Sequence, residues 1–320
     1  MESLCVRVPK KSGEITRQEL IGLGAFDKNL KIKQDGEDLL IPILMPVEGF
    51  GELSKDDFEI LQKEDSLGEV IGAYEILGDI AIIDQHESDA KEMANILIKS
   101  RKIRTVLQAE SPIEGEYRTR KFSFLAGENR TETLYRENGC RYHLDIAMVY
   151  FTPRLSTERM RIANRVKAGD KVVDMFAGVG PFSILIAKKF PSSNVIAIDK
   201  NPVAIKYLRE NIRLNKVKNV EIREGDAREE VRGILDADRI IMNLPHSSIE
   251  FLDTALRIIK RGGIIHLYAI THEDDLFEGT LKQIENIAQQ FNFQVVPLER
   301  RIVRPYAPYQ YNICIDFEVI

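Results

Sequence analysis

A glycine-rich turn between Asp174 and Gly180 is the part of the sequence best suited to bind a small ligand. It joins an apolar strand-like stretch to a helix-like one. Ligands of open α/β sheets bind at the carboxyl ends of strands, where this turn lies, and Gly178 and Gly180 let the backbone approach them closely. A dinucleotide fingerprint would need a third glycine where Ser183 stands, and a P-loop would need a Lys-Ser/Thr pair after the glycines. The turn therefore predicts a ligand site of another class.

Two further aspartates fall at the ends of the next two predicted strands. Asp199 lies 19 residues after Gly180, where a carboxylate accepts hydrogen bonds from a ribose diol. The pattern Asp-x-Phe-x-Gly-x-Gly-x-Phe that starts at Asp174 resembles motif I of class I S-adenosylmethionine methyltransferases, which place a carboxylate such as Asp226 on the adenine amine. That resemblance implies S-adenosylmethionine as the cofactor. The residues it places around the cofactor are Asp174, Phe176, Gly178, Gly180, Asp199, Asp226 and Asn243.

A fourth predicted strand ends in the segment from Asn243 through Pro245 to His246. Its Asn-x-Pro pattern resembles the substrate-facing loop of methyltransferases that modify base nitrogens. An amide suits that position because it both donates and accepts hydrogen bonds and so reads the edge of a base. His246 stands where an aromatic residue normally stacks on the base. This departure argues against an exocyclic amine as the target and favours another ring position.

Basic residues are concentrated in one part of the chain. The whole sequence has 45 Lys and Arg against 50 Asp and Glu, a formal net charge of −5, which by itself argues mildly against a nucleic-acid partner. Residues 97–168 carry fifteen basic and eight acidic side chains, a net charge of +7 that leaves −12 for the remainder. Such asymmetry predicts a surface for an anionic partner, the alternative being a solvated basic surface without one.

Strand and helix patterns alternate from residue 166 onward, which predicts an α/β domain with a mostly parallel, doubly wound sheet. The predicted strands are Lys171–Met175, Asn194–Ile198, Val220–Arg223, Arg239–Asn243, Ile264–Ala269, Gln294–Val296 and Tyr311–Val319. The predicted helices are Phe182–Lys189, Pro202–Asn215, Ile249–Ile259 and Asp274–Phe291. Asn201 and Pro202 suit the N-cap and first position of the second of these helices.

Two smaller α+β domains are predicted before this sheet, over residues 1–62 and 69–165, with a polar linker at Gln62–Gly68. The first contains strands Leu4–Val8 and Asp38–Ile43, a turn at Asp35-Gly36, and a helix Thr16–Leu23 with Thr16 and Glu19 as a capping box. The second contains strands Ile76–Ile83 and Thr105–Gln108, a helix Ser88–Ser100 capped by Ser88, and a hairpin at Asn138-Gly139 between Glu132–Tyr135 and Tyr142–Ile146. Residues 166–320 form the third domain.

Motifs outside the sheet identify a family. They are Gly115-Glu116-Tyr117-Arg118, Gly127-Glu128-Asn129-Arg130-Thr131 and the run from Asp145 to Arg159 that contains Tyr-Phe-x-Pro-Arg-Leu. With the glycine turn and Asn243-Leu244-Pro245, they closely resemble the archaeal and eukaryotic tRNA (guanine(37)-N1)-methyltransferases over essentially the whole chain. The resemblance implies a Rossmann-like class I catalytic domain, preceded by an N-terminal domain that checks the tRNA elbow and a basic middle domain.

The resemblance also implies roles around the target base, which is the guanosine that follows the anticodon. Glu158 is the general base on N1–H, Arg118 steadies negative charge on O6, Asn243 contacts the guanine edge beside Pro245, and Tyr150 shapes the pocket. A positioned carboxylate suits the reaction because guanine N1 carries a proton and is a poor nucleophile. General-base catalysis accelerates such a step by ~10²–10⁴-fold. The base is expected to flip out of the anticodon loop.

Related activities remain open from the sequence. An aminocarboxypropyl transferase of the wybutosine pathway would share the fold and the cofactor, but Glu158 and Asn243-Leu244-Pro245 argue against it. A methyltransferase that also acts on the tricyclic wybutosine intermediate is compatible with every motif. An RNA-binding module with a vestigial cofactor site conflicts with the intact acids, and a small-molecule methyltransferase leaves the two preceding domains and their charge unexplained.

The positions of the cysteines and the hydropathy of the chain argue against a metal-binding, disulfide-rich, secreted or membrane-spanning protein. Cys5, Cys140 and Cys314 are far apart and no His/Cys cluster accompanies them, so we expect neither a metal site nor a disulfide framework. The N-terminus has no signal-peptide pattern. The longest mostly apolar stretch, residues 172–187, is broken by Pro181 and two glycines and is too short to cross a membrane. We expect a cytoplasmic monomer without membrane partners.

Overall fold

The computed structural model describes residues 2–27, 30–59 and 73–320. The predicted linker Gln62–Gly68 lies outside these residues. The chain divides into two compact units, one made of Met1–Ile71 with Lys99–Lys102 and the other of Gly72–Ile98 with Ile103–Ile320. The second unit therefore contains most of the basic region as well as the predicted cofactor-binding sheet.

The first unit is a small antiparallel sheet with one helix. Its elements are β1 (Glu2–Pro9), α1 (Gly13–Gly22), β2 (Lys33–Asp35), β3 (Asp38–Ile43) and β4 (Glu52–Asp57), with strand order β2-β3-β1-β4. Val6 of β1 and Leu20 of α1 are buried in the same apolar cluster. The predicted capping role of Thr16 is wrong. The helix begins at Gly13, after Ser12, and the backbone N–H of Thr16 already donates to the carbonyl of Ser12 at 2.9 Å.

The first part of the second unit consists of short hairpins and two helices. Its elements are β5 (Tyr74–Leu77), β6 (Ile80–Ile83), α2 (Ala90–Leu97), β7 (Thr105–Ala109), β8 (Phe122–Gly127), β9 (Glu132–Glu137), β10 (Cys140–Asp145) and α3 (Ser156–Arg165). One sheet has the order β5-β6-β7-β8, and β9 pairs with β10. The predicted hairpin at Asn138-Gly139 is confirmed, because φ values of 48° and 72° at these residues give the turn its left-handed backbone.

Three details of this region differ from the predictions. The single strand predicted over Ile76–Ile83 is two strands, because Gly78 turns the chain with a φ of 63°. The predicted cap Ser88 is wrong, since α2 begins one residue after Asp89. Helix α3 and strand β8 are elements that the sequence patterns do not predict.

The remainder of the second unit is an α/β domain with a seven-stranded sheet. Its elements are β11 (Lys171–Asp174), α4 (Pro181–Lys189), β12 (Asn194–Asp199), α5 (Pro202–Asn215), β13 (Val220–Glu224), α6 (Ala227–Glu230), β14 (Ala237–Met242), α7 (Leu252–Leu256), β15 (Ile259–His272), α8 (Glu278–Gln290), β16 (Val295–Ala307) and β17 (Gln310–Val319). The order is β13-β12-β11-β14-β15-β17-β16. The first five strands are parallel, whereas β17 runs antiparallel to both of its neighbours.

Alternation along the strands builds a core on each face of this sheet. Val172 of β11 belongs to one buried cluster and Val173 to the other, as the two-residue period of a strand requires. Helices α4 and α5 contribute to the first cluster, α7 and α8 to the second. The predicted doubly wound, mostly parallel sheet is thus confirmed.

Two helix predictions in this domain have different outcomes. The predicted N-cap of α5 is confirmed, because the Asn201 side chain accepts from the backbone N–H of Val203 at 2.9 Å. The helix predicted over Ile249–Ile259 is instead a 3₁₀ turn at Ser248–Phe251 followed by the short α7, and Ile259 already starts β15. No helix in the described part of the chain is long and apolar enough to span a bilayer.

Candidate active site

A cavity of about 520 Å³ opens at the carboxyl ends of β11, β12, β13 and β14. Its volume is in the range of small-molecule sites. Seven of the predicted catalytic and cofactor-binding residues line it, and they are Arg118, Tyr150, Phe176, Gly178, Asp199, Asp226 and Asn243. His246 lines it as well. Glu158, Asp174, Gly180 and Pro245 do not line it.

The two glycines of the turn have different tasks. Gly178 has a φ of 55°, and a Cβ placed there would meet only the carbonyl oxygen of Tyr150, at 4.0 Å. Gly180 has a φ of 91°, and a Cβ there would lie 2.4 Å from Cδ1 of Leu208 and 2.9 Å from Cδ1 of Ile184. Gly178 therefore keeps the cavity wall open, whereas Gly180 lets α4 begin in close contact with α5.

Asp199 holds the glycine turn to the neighbouring strand. Its Oδ2 accepts from the backbone N–H of Gly178 at 2.6 Å, and its Oδ1 accepts from that of Asn201 at 2.8 Å. Burial raises the pKa of this carboxyl group, and the backbone N–H donors oppose that shift. Because each carboxylate oxygen has a second lone pair, Asp199 can still accept hydrogen bonds from a ligand.

Asp174 and Asp226 take different positions. Asp174 is fully buried, and its Oδ2 accepts from the Ser183 hydroxyl at 2.7 Å, which fixes the first turn of α4 to β11. Burial raises the pKa of Asp174 to about 7, and the negative charge of Asp199 adds to this effect. Asp226 lines the cavity and caps α6 by accepting from the backbone N–H of Arg228 at 2.9 Å.

Asn243 brings an unpaired acceptor to the cavity. Its Oδ1 is buried and has no hydrogen-bond partner among the described residues. The chain after it is held in place, because Leu244 N–H donates to the Ser248 hydroxyl at 3.1 Å and the Pro245 carbonyl accepts from Ile270 N–H at 3.1 Å. A buried acceptor without a partner is costly, so this amide is suited to a ligand that donates a hydrogen bond.

Arg118 sits in a strained turn on another wall of the cavity. Its φ is 54°, a left-handed conformation that costs of order 1–3 kcal/mol for a residue with a side chain. Its guanidinium carbon lies 4.6 Å from the centre of the Tyr150 ring. The Nε atom is buried and has no partner in the described part of the chain. The turn therefore presents a positive, unpaired donor group against an aromatic wall.

Glu158 lies outside the cavity lining, in the first turn of α3. Arg161 donates to both of its carboxylate oxygens, at 2.7 and 2.9 Å, and the Tyr268 hydroxyl donates to Oε1 at 2.8 Å. Burial raises the pKa of Tyr268 well above its usual value, so this hydroxyl keeps its proton. Only 4% of the Glu158 side chain is exposed.

A buried polar network extends from Glu158 into the sheet. Arg161 also donates to Asp316 of β17, at 2.5 Å, and to Glu299 at 3.1 Å. Nδ1 of His266 on β15 lies 2.7 Å from Oδ1 of Asp316. Burial alone would raise the pKa of Asp316, but His266 and Arg161 outweigh it and hold this pKa well below its usual range. The carboxylate of Glu158 is thus positioned through α3, β15 and β17 together.

Two features of the site have no counterpart among the sequence predictions. Arg159, which lines the cavity, donates to both oxygens of Glu137, at 2.6 and 2.7 Å, and this pair is almost fully buried. Phe251 packs edge-on against Phe176 with ring centres 5.0 Å apart, and the Arg228 guanidinium lies 3.8 Å from its ring centre. Arg159 is part of the quoted motif, but nothing in the sequence indicates its partner.

Comparison with known proteins identifies a family over nearly the whole chain. The profile of the TRM5/TYW2 methyltransferase domain matches residues 133–296. That of the tRNA methyltransferase 5 N-terminal domain matches residues 5–51, and that of the TYW2 N-terminal domain matches residues 58–131.

Individual relatives agree with these matches. The tRNA (guanine(37)-N(1))-methyltransferase Trm5b of Pyrococcus abyssi is 47% identical, with 99% of each chain covered. The solved complex of aTrm5 and tRNALeu has a TM-score of 0.71 at 36% identity and covers 98% of this chain and 99% of that one. The tRNA(Phe) (4-demethylwyosine(37)-C(7)) aminocarboxypropyltransferase of Methanocaldococcus jannaschii is 34% identical, over 76% of this chain and 96% of its own.

Proposed function

The chain belongs to the TRM5/TYW2 family of S-adenosylmethionine-dependent methyltransferases that modify tRNA, and we propose that it methylates N1 of guanosine 37. One observation carries the proposal. A single cavity joins the glycine turn, Asp199 and Asp226 to Asn243 and Arg118, both of which have buried polar atoms without partners among the described residues. A cofactor and a nucleobase therefore have complementary groups in the same space.

The residues at the strand ends fit S-adenosylmethionine. Gly178 leaves open space beside the backbone, Asp199 has free lone pairs for a ribose diol, and Asp226 lies after the next strand. The aromatic pair of Phe176 and Phe251 supplies an apolar wall. When bound, the cofactor supplies an electrophilic methyl group on a sulfonium, which needs no metal for activation.

Asn243 and Arg118 serve the guanine base. The unpaired Oδ1 of Asn243 accepts from N–H groups on the guanine edge. Loss of the N1 proton moves negative charge to O6, and the fixed guanidinium of Arg118 stabilises that charge as an oxyanion-hole donor does, worth roughly 3 kcal/mol in comparable sites. Tyr150, stacked against Arg118, holds this guanidinium in place and closes the base pocket.

Glu158 is the base that takes the N1 proton in this proposal. A general base must come within about 2.6–3.2 Å of the proton's donor atom, so the carboxylate has to leave Arg161 and turn toward the cavity. Its neighbours Leu155 and Arg159 already line that cavity. Arg161 has other acceptors in Asp316 and Glu299, so its charge remains paired when Glu158 moves.

The remaining parts of the chain bind the tRNA in this proposal. We assign the first unit to the tRNA elbow, since residues 5–51 match the tRNA methyltransferase 5 N-terminal domain. The basic side chains of residues 97–168 would contact the phosphates of the anticodon region. We also propose that the protein works in the cytoplasm as a monomer. The domains predicted from the sequence, 1–62, 69–165 and 166–320, remain our proposal for the functional division.

Product analysis with two labels tests the reaction. Purified protein is incubated with a tRNA transcript that carries G37 and with S-adenosylmethionine labelled with tritium in the methyl group or with ¹⁴C in the carboxyl group. We expect tritium alone in the RNA, and 1-methylguanosine after nuclease digestion. A transcript with A37 is the control and should stay unlabelled.

The same experiment separates the alternatives. Carbon-14 in the RNA would mean aminocarboxypropyl transfer, and tritium in 2-methylguanosine would mean attack at the exocyclic amine. Either result contradicts the proposal. Methylation of a tRNA that carries 4-demethylwyosine would add a second activity without removing the first.

A further inference from the structure

A second cavity of about 330 Å³ adjoins the first. The two share five lining residues, among them Arg118 and Tyr150. Arg120, Arg154 and Arg304 also line the second cavity, so it contains four arginines in all. Arg304 comes from β16, far along the chain from the others, and the sequence alone does not bring it here.

The arginines of this second cavity lack sufficient counter-ions. The Nε atoms of Arg118, Arg120 and Arg304 are buried and have no hydrogen-bond partner within the described ranges. Only two acids among the described residues line the cavity, Glu75 and Asp84, and the Glu75 carboxylate lies 3.8 Å from Nε of Arg154. Four positive charges against two negative ones leave a net charge of +2.

Burial makes this arrangement unfavourable without a ligand. The pKa of Arg120 is lowered by burial, even though the charges of Asp84 and Glu75 oppose that shift. Arg118, Arg120 and Arg304 are half-buried and Arg154 is exposed. A buried Nε–H without a partner on such a side chain costs free energy that a hydrogen bond to an anion offsets. Arginine also offers a planar pair of donors that matches the oxygens of a phosphate. The second cavity is therefore built for an anion with several acceptor oxygens.

We propose that the second cavity binds a phosphodiester group of the RNA next to the target nucleotide. The proposal rests on the proposed function, because a base held in the first cavity is covalently tied to the phosphates on either side of it. The two cavities meet at Arg118 and Tyr150. The part of the RNA nearest to the second cavity is therefore a phosphate attached to the target nucleotide. Binding it there offsets part of the free energy needed to unstack the base.

Salt dependence of tRNA binding tests the charge interaction. We expect Arg120→Gln and Arg304→Gln each to weaken tRNA binding roughly tenfold. The slope of log K against log salt should become shallower by about 0.7 for each single-strand phosphate that the variant no longer binds. Affinity for S-adenosylmethionine and the unfolding temperature are measured alongside to show that the variants are folded. Arg257→Gln, which removes an exposed arginine that lines neither cavity, is the matched control and should leave the slope unchanged.

Neutral linkages in the RNA test the phosphate itself. Full-length tRNA is ligated from synthetic halves with a methylphosphonate either 5′ or 3′ to G37. We expect one of the two to weaken binding to the unmodified protein, and this effect to disappear in Arg120→Gln, because that variant already lacks the phosphate interaction. This experiment also works with the unmodified protein alone, should a variant fail to fold.

The outcomes separate the two proposals. If neither methylphosphonate changes binding while the unmodified protein still forms 1-methylguanosine, the phosphate site is wrong and the proposed function stands. Inorganic phosphate that binds without RNA and needs Arg120, together with indifference to both methylphosphonates, would identify a free-phosphate site and also overturn the inference. If no 1-methylguanosine forms at all, the proposed function fails first.

Discussion

At the residue scale, the proposed base is the side chain whose surroundings differ most from the sequence expectation. Glu158 is held by Arg161 and Tyr268 and does not line the cavity. We predict that Glu158→Gln lowers the single-turnover methylation rate by about 10²–10⁴-fold, because the amide cannot accept the N1 proton. Equilibrium binding of S-adenosylmethionine should stay nearly unchanged.

A second variant distinguishes a base from a positioning residue at this site. Tyr268→Phe removes a hydrogen bond to the same carboxylate and keeps the acid. Its single-turnover rate should therefore stay far closer to that of the unmodified protein than the rate of Glu158→Gln does. A large loss of cofactor affinity in Glu158→Gln would remove Glu158 from the role of base.

The buried ion pair of Glu137 and Arg159 is expected to affect the stability of the fold. Both side chains are almost fully buried, and Arg159 also donates to the carbonyl of Thr152 at 2.7 Å. Glu137→Ala leaves a buried guanidinium without its carboxylate, and we expect the free energy of unfolding to fall by about 3–5 kcal/mol. Denaturant titration measures this. The double variant Glu137→Leu/Arg159→Met should recover most of the loss, and failure to recover would mean that the charge pair is not its source.

The buried carboxyl group of Asp174 makes stability depend on pH. Its pKa is about 7 in the folded chain and near 4 in an unfolded one. Between these two pH values the folded chain keeps a proton on Asp174 that the unfolded chain has lost. The contribution of Asp174 to stability therefore falls as pH rises from about 4 to about 7 and is level above that. We expect Asp174→Asn to reduce this slope in unfolding free energy measured from pH 4 to 8. An identical slope in both proteins would contradict the prediction.

At the element scale, the start of α4 tests how the glycine turn works. Gly180→Ala forces a Cβ to within 2.4 Å of Leu208 at a φ of 91°, so we expect a marked fall in unfolding temperature. Gly178→Ala is the matched control, since its φ of 55° is also left-handed but its Cβ would meet no atom closer than 4.0 Å and would add a methyl group to the cavity wall. It should lower the unfolding temperature less than Gly180→Ala does and reduce cofactor affinity more. Equal effects of the two changes on both quantities would show that the glycines are equivalent.

The elements that the sequence predicts well are those that local rules determine. The cap at Asn201 and the turn at Asn138-Gly139 depend only on adjacent residues, and both are confirmed. Apolar strand-like runs that alternate with helix-like segments likewise identify every strand of the seven-stranded sheet, although β15 and β16 are longer than predicted. Thr16 shows the limit, because its sequence matches a capping box and yet the helix starts earlier, at Gly13.

The parts of the site that the sequence does not predict depend on contacts between distant residues. Arg159 meets Glu137 across 22 positions, and Arg161 meets Asp316 across 155. No local pattern contains that information. The family resemblance supplies the identity of Glu158 but not its hydrogen bonds, and the arginine cavity with Arg304 forms only because β16 lies beside the preceding part of the unit.

At the scale of the whole molecule, the uneven charge agrees with a tRNA substrate. The net charge of −5 is the sum of a basic segment of +7 and an acidic remainder of −12, so the overall value conceals the basic part of the chain. A basic segment of this kind gives binding that weakens as salt is added.

Deletion of residues 1–62 tests the contribution of the N-terminal region. We expect the shortened chain to bind S-adenosylmethionine almost as well as the full chain but to discriminate poorly between intact tRNA and tRNA with a disrupted elbow. Methylation rates for the two RNAs, measured with both proteins, provide the comparison. If the full chain itself treats both RNAs alike, the elbow assignment is wrong.

The position of β17 connects the last strand of the sheet to the proposed base. This strand comes last in the chain among the seven strands of the sheet, yet it lies between β15 and β16 and carries Asp316. Asp316 accepts from Arg161, which in turn donates to both carboxylate oxygens of Glu158. The lining of the active-site cavity includes no residue of β17. A substitution in β17 would therefore act on the reaction from outside the cavity, through the hydrogen-bonded side chains that hold Glu158.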